Sequence, residues 1–337
     1  GQAVDHGGSH QLRVNDQSGL INNNSGRTDD LPENYPVPLV TEYDDPTPGY
    51  TFVSPNGFRG APYGNYNVII DNYGTPVYYR DWHSSSRDFK LVSNNRLLSS
   101  EHSRQNPLIN KYLVFNSHFE IIDTLMMGNG YNVDAHDALL LENDHYFLMA
   151  YDPQLIDMSQ IVTGGDTNAT VIGFIIQELD PDGNVIFQWR SWDHFEITDA
   201  AYEDLTSDDI DYVHGNAFEL DLDSNLMLSS RHLDEITKIN LTTGEVIWRF
   251  GPKATQNMYT FTNDTVGFSH QHDIRRIANG NITLYDNGNY HNPKVSYSKE
   301  YEIDENTLTA TLVWNHINDP EVYGGATGSS QRLENTN

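Results

Sequence analysis

Apolar residues along most of the chain come in short runs, and polar turns break each run before a helical period can build. Tyr66-Asn-Val-Ile-Ile70 passes through Asp71-Asn-Tyr-Gly74 into Pro76-Val-Tyr-Tyr-Arg-Asp-Trp82, which reads as strand, tight turn, and strand ending on an aromatic. The same unit returns at Gly173–Leu179 with Asn184–Trp189, around Asp180-Pro-Asp-Gly183, and at Ile236–Asn240 with Glu245–Trp248, around Leu241-Thr-Thr-Gly244. Shorter copies lie at Tyr112–Asn116 with Glu120–Leu125, and at Tyr301–Asp304 with Thr311–Trp314. Hairpins of this kind bury one face, and the turn fixes their register.

A second unit alternates with the first. A histidine is followed by a strand, a polar Asn/Asp turn and another strand. His136 opens HDALLLENDHYFLMA, His214 opens HGNAFELDLDSNLMLSSRH, and His270 and His272 precede the run that turns at Asn279-Gly-Asn281. The polar turns of this unit fall near Asn95, Asn143, Asn225, Asn279 and Asn335. Their spacing is about 50 residues, with one longer step of about 80, and each period holds two hairpins. The pattern predicts an all-β fold, a β-propeller of four-stranded antiparallel blades, with the last blade incomplete where the chain stops. The longer step is accounted for by loops over Asp152–Thr170 and His194–Asp211, with room for a short helix within Ile197–Asp211.

The start of the chain lacks this patterning. Residues 1–44 are rich in Asn, Gly, Ser and Asp and read as a flexible leader and an extended, proline-stiffened approach, so the propeller domain is expected over residues 45–337. The 19 Lys and Arg against 48 Asp and Glu give a net charge of −29, a field that repels nucleic acid and anionic membranes. Such a surface suits a soluble protein, and calcium is the structural ion it could hold, although no complete EF-hand loop is present. No apolar run reaches the length of a membrane span. The chain has no cysteine, which excludes disulfides, zinc–thiolate sites and thiol catalysis. It begins at Gly1, and we expect a processed product that is secreted, periplasmic or at the cell surface.

In a propeller the first strands of successive blades face one axis, so residues at equivalent repeat positions converge in space. That gives meaning to His136, His214 and His272, and Arg231 at the end of the strand returning from the His214 hairpin could reach the same opening. An imidazole can act as nucleophile, as proton carrier or as ligand to a transition metal. Tyr131 and Tyr290 are candidate stacking partners for an aromatic substrate.

On these residues the chain resembles the arylsulfotransferase (aryl-sulfate sulfotransferase) family of six-bladed β-propeller enzymes. The resemblance is carried by Asp134-Ala-His-Asp137, Val213-His-Gly-Asn-Ala217, Asn225-Leu-Met-Leu-Ser-Ser-Arg231, Thr243-Gly-Glu-Val-Ile-Trp-Arg-Phe-Gly251, Gln271-His-Asp273 and Tyr285-Asp-Asn-Gly288, in family order from about Gly49 onward. It implies sulfuryl transfer from a small phenolic sulfate ester to a phenolic acceptor through a sulfated histidine, independent of a nucleotide sulfate donor, and no cofactor is expected. It maps the nucleophile onto His272, the accompanying histidines onto His136 and His214, and the family's arginine onto Arg231. His270 has no counterpart and is expected to contact substrate or to serve as the second-choice nucleophile. Two other readings fit the same residues. One is an exported non-catalytic propeller that binds a partner or self-associates in a surface assembly. The other is a propeller polysaccharide lyase that uses His as base and Tyr as acid.

Overall fold

The computed structural model describes residues 31–40, 47–56, 62–82, 84–103, 106, 108 and 110–333. The flexible leader expected over Gly1–Thr28 and the turn expected near Asn335 lie outside the described residues.

The strands assemble into five sheets. The first is β1 (Tyr50–Val53), β2 (Asn65–Asp71) and β3 (Pro76–Trp82), in that order. The second runs β4 (Ser85–Val92), β5 (Arg96–His102), β6 (Lys111–Phe115) and β7 (Ile121–Leu125). The third comprises β8 (Leu139–Leu140), β9 (Tyr146–Ile156), β10 (Ala169–Leu179) and β11 (Val185–Arg190), with β12 (Asp209–Asp211) parallel to β10. The fourth runs β13 (Gly215–Leu220), β14 (Leu226–Ser230), β15 (Glu235–Ile239) and β16 (Val246–Phe250). The fifth takes β18 (His272–Arg276), β19 (Ile282–Asp286), β20 (Tyr297–Asp304) and β21 (Thr309–His316), with β17 (Thr260–Thr262) parallel to β21.

Sheets two to five each join one polar-turn hairpin to one aromatic-ended hairpin, which is the predicted repeat. The fold is an all-β propeller of antiparallel blades. Three of these sheets carry a histidine at or just before their first strand: His136 before β8, His214 before β13 and His272 opening β18.

Among the described residues five blades are present where six, the last incomplete, were expected. The segment meant to begin the sixth holds no strand among residues 317–333. Thr327 (φ +59°) and Gly328 (φ +111°) bend it, and its backbone groups bond to side chains of Asn287, Arg231, Asp273 and Ser296 instead of to a ladder. The insertions differ in detail too. β9 and β10 extend into the first, and the second contributes β12 and a single 3₁₀ turn at Ile197–Asp199, the short helix anticipated there.

The described chain divides into two compact units. The N-terminal unit is the chain up to Leu148 with Glu178–Ile186, and the C-terminal unit is Met149–Gln177 with Phe187–Leu333. In the N-terminal unit one core gathers Ile69, Tyr78, Phe89, Leu97, Leu113, Phe115 and Phe119, and another gathers Leu98, Tyr112, Val114, Tyr146 and Leu148 with their neighbours. In the C-terminal unit the core is aromatic. The Phe250 ring lies within 4.9–6.3 Å of Trp248, Tyr259, Phe261, Phe268 and Tyr301. Each such side chain contributes about 1.5–3 kcal/mol by burial. Beneath it, Arg276 forms a two-pronged pair with Asp221 at 2.6 and 2.7 Å, and Lys238 joins the same carboxylate at 2.7 Å, so these buried charges are paired. Among the described residues no helix is long and apolar enough to cross a membrane.

Candidate functional site

The C-terminal unit brings five of the predicted residues into one cluster: His214, Arg231, His270, His272 and Tyr290. The backbone there is unusual. His214 (φ +48°), Asp234 (+51°), His270 (+53°), Asp273 (+54°) and Thr327 (+59°) all occupy the left-handed region, which costs energy at residues other than glycine and collects at functional sites. Gly215 has a different constraint, since a Cβ there would stand 2.2 Å from Cζ of Phe174.

Asp211, at the end of β12, orients two histidines. Its carboxylate takes Nδ1–H of His214 at 2.5 Å and the His214 backbone N–H at 3.0 Å. Its main-chain oxygen takes Nδ1–H of His232. Both imidazoles are therefore set with the lone pair on Nε2. On His232 that lone pair accepts from Nη1 of Arg231 at 2.5 Å. The rings of His214, His232 and His270 follow one another at centroid distances of 4.7 and 5.6 Å.

His272 is buried at the start of β18. Its Nδ1–H faces Oδ1 of Asn287 at 2.7 Å and the carbonyl of His270 at 3.0 Å, again leaving the lone pair on Nε2. That atom is met by the backbone N–H of Thr327 at 3.3 Å. Asn287 also holds the covering segment, donating from Nδ2 to the carbonyls of Gly324 (2.6 Å) and Thr327 (2.8 Å). Two residues before Thr327, the carbonyl of Gly325 accepts from Nη2 of Arg231 at 3.1 Å. Arg231 and His272 thus converge on the same short piece of backbone. The glutamine before the nucleophile candidate has a structural duty: Gln271 Nε2 lies 3.0–3.3 Å from Ser229 Oγ and the carbonyls of Ser230 and Glu235.

His270 makes a separate set of contacts. Its Nε2 is 3.3 Å from Oε1 of Glu203 and 3.3 Å from the hydroxyl of Tyr290, and its backbone N–H binds Asp234 at 2.6 Å. Its Nδ1 is buried without a hydrogen-bond partner among the described residues. Tyr290 stacks on Tyr202 at 4.7 Å, and Tyr202 is 52% exposed, so the pair forms an aromatic ledge beside the histidines.

Burial and nearby positive charge set the protonation states. Burial, aided by the Arg231 guanidinium, drives His270 down to about 2. Burial, then His214, lowers His232 to about 4. Both rings are neutral at ordinary pH. Burial raises Asp234 to about 7 and pushes Glu203 up as well.

Two of the predicted residues belong to the other compact unit. His136 and Tyr131 are in the N-terminal unit. There Asp134 Oδ1 takes His136 Nδ1–H at 2.6 Å and its backbone N–H at 3.0 Å, while Asp137 pairs with Lys90. Tyr131 is half-buried in a turn, its N–H on the carbonyl of Gly128. Conversely, His232, Asp211, Glu203 and Thr327 were missed. Only His232 left a trace in the sequence, as the residue after Arg231 in Ser229-Ser-Arg-His232.

Two overlapping trios, Glu203–His232–His270 and Asp211–His214–His232, place possible metal-ligand atoms within 4.8 Å of one another. Both use His232, and the Arg231 guanidinium already engages that ring's lone pair. The arrangement suits holding a fixed positive charge and moving protons beside it.

The arylsulfotransferase (ASST) family model matches residues 43–337. The chain belongs to the arylsulfotransferase family. No curated protein matches it. Among solved structures, this arylsulfotransferase-family chain is similar to a protein of unknown function from Bacteroides caccae, with 10% identity and a TM-score of 0.44 over 80% of this chain and 73% of that one. It is similar also to a catalytically inactive virginiamycin B lyase from Staphylococcus aureus with quinupristin (10% identity, TM-score 0.39, 78% and 66% covered). A third is the Cps50 (Swd1) β-propeller domain of Myceliophteria thermophila (11% identity, TM-score 0.41, 76% and 67% covered).

Proposed function

We propose that this protein transfers a sulfuryl group from a phenolic sulfate ester to a phenolic acceptor, with His272 as the nucleophile. One observation carries the reading: Arg231 Nη2 and His272 Nε2 both address the backbone between Gly325 and Thr327, so a single sulfuryl group taking the place of those contacts would meet both.

In the first half-reaction His272 Nε2 attacks sulfur, an N–S bond forms and the S–O bond to the aryl oxygen breaks. The phenolate leaves with the electron pair. Asn287 takes the Nδ1–H of the sulfated ring and so favours the charge it gains. Arg231 faces the anionic sulfuryl oxygens. In the second half-reaction the acceptor oxygen attacks sulfur, the N–S bond breaks and His272 recovers its lone pair. The acceptor's proton passes to Nε2 of His214, whose other nitrogen is held by Asp211, an arrangement that stabilises the imidazolium formed. The Tyr202–Tyr290 ledge offers an aromatic face to an aryl ring.

The test is incubation of the full chain with p-nitrophenyl sulfate and phenol. Release of p-nitrophenolate with stoichiometric phenyl sulfate supports the reading, and an intact ester rejects it.

A further inference from the structure

Arginines that bind anions are commonly held by carboxylates, which offset the charge they are meant to present. Arg231 is held differently. Its Nη1 donates to Nε2 of His232 at 2.5 Å, and the opposite nitrogen of that ring donates to the main-chain oxygen of Asp211. We propose that His232 is the positioning residue for Arg231: an imidazole, locked in one tautomer by the carbonyl of Asp211, whose Nε2 lone pair fixes the guanidinium in place of a hydrogen-bonded carboxylate and so keeps it turned toward the sulfate ester. The inference rests on the sulfuryl-transfer reading and adds a residue to it.

Three features support it. The His232 ring is packed between His214 and His270, so it has little freedom to turn away from Arg231. Its burial, with His214 beside it, keeps it uncharged, and a charged ring would turn a donor and a positive charge toward the guanidinium. The groups facing it are Arg231, His214, His270 and Asp211, with Glu203 next along the cluster, and none of them takes the Nε2 lone pair from Arg231. Sequence order supplies the pair directly, since His232 follows Arg231 where the chain leaves β14, and Arg231 N–H is itself pinned to the carbonyl of His214 at 3.0 Å.

Two variants separate the lone pair from the packing. His232→Phe keeps an aromatic ring of similar size and removes the acceptor. His232→Gln places an amide oxygen near the position of Nε2. With p-nitrophenyl sulfate and phenol, kcat/KM should fall roughly 10- to 100-fold in His232→Phe and recover most of that loss in His232→Gln, with both variants melting close to the parent. Full activity in His232→Phe would overturn the proposal, as would equal impairment of the two variants. A second measurement does not depend on turnover. Long-range ¹H–¹⁵N spectra of the unmodified protein should show His232 as the neutral Nδ1–H tautomer, with the Arg231 Nη signals displaced in His232→Phe and restored in His232→Gln. Another tautomer, or unmoved arginine signals, contradicts the proposal. An ester left intact by the parent protein together with the expected spectra would reject sulfuryl transfer and leave the His232–Arg231 assignment standing.

Discussion

The backbone N–H of Thr327 meets Nε2 of His272 at 3.3 Å. The atom proposed to attack sulfur is therefore engaged by the chain's own backbone, and the neighbouring Gly325 carbonyl engages Arg231 in the same way. A sulfate ester must replace both contacts. The segment that makes them has no ladder of its own and is anchored largely through Asn287.

Asn287 should consequently be among the most sensitive positions outside the histidines. Asn287→Ala removes the acceptor that fixes the His272 tautomer and the two anchors of the covering segment. Turnover of p-nitrophenyl sulfate should drop by about 10²-fold, in keeping with the loss of a group that orients a reacting side chain. Steady-state assays of a variant with a normal circular dichroism spectrum measure it, and turnover within twofold of the parent would count against the assigned geometry.

Asp211→Asn tests the proton carrier. The carboxylate lies 2.5 Å from His214 Nδ1, and an amide there can present its N–H instead, which favours the wrong tautomer. The expected fall in kcat is of order 10²–10⁴, by analogy with loss of the orienting carboxylate in a catalytic triad. It should be smaller with p-nitrophenyl sulfate in a single-turnover first half-reaction, because that leaving group needs no proton. Equal effects on both half-reactions would remove His214 from the acceptor step.

Stability should carry the signature of Asp234. Burial raises its carboxyl to about 7, whereas in an unfolded chain it ionises near pH 4. The folded state holds the proton more tightly, so the stabilisation is complete below about pH 4 and is lost as pH rises through about 7. Asp234→Asn does not ionise, and its amide oxygen can still accept the His270 N–H now bound at 2.6 Å. Calorimetry should find the variant equal to the parent near pH 4 and more stable at pH 8, by about 2–4 kcal/mol. Parallel curves across that range would show that Asp234 is ionised in the fold.

The aromatic core of the C-terminal unit predicts a plain stability loss. Phe250 is fully buried against five other rings, so Phe250→Ala should cost about 3–5 kcal/mol. Urea unfolding measures it, and a cost below about 1 kcal/mol would mean the site relaxes into the space.

Much of the architecture was legible because turn chemistry and period-two patterning are local. Asp71–Gly74, Asp180–Gly183 and Leu241–Gly244 all became hairpin turns between the strands assigned on either side. The histidines near the heads of β8, β13 and β18 were legible because each stands beside a repeated hairpin, His136 three residues before β8, His214 one before β13 and His272 on β18. Residues supplied from outside the repeat were not. Glu203 and Asp211 come from an insertion with no periodicity, and Thr327 acts through its backbone, which any residue type would provide. No strand forms among residues 317–333, and there Gly324, Gly325 and Thr327 bond instead to side chains of Asn287 and Arg231. The register expected to align His272 with His214 instead aligns His270 with it, and the two rings differ by their partners, one tied to Glu203 and Tyr290 and the other to Asn287.

The central claim is that sulfur is carried on His272. The most direct measurement is mass spectrometry of the protein incubated with p-nitrophenyl sulfate in the absence of acceptor, quenched and digested in alkali. The account predicts one SO₃ group on His272, discharged by added phenol and absent from His272→Ala. Sulfation of His270 instead, or release of p-nitrophenolate with no sulfated histidine, would contradict it.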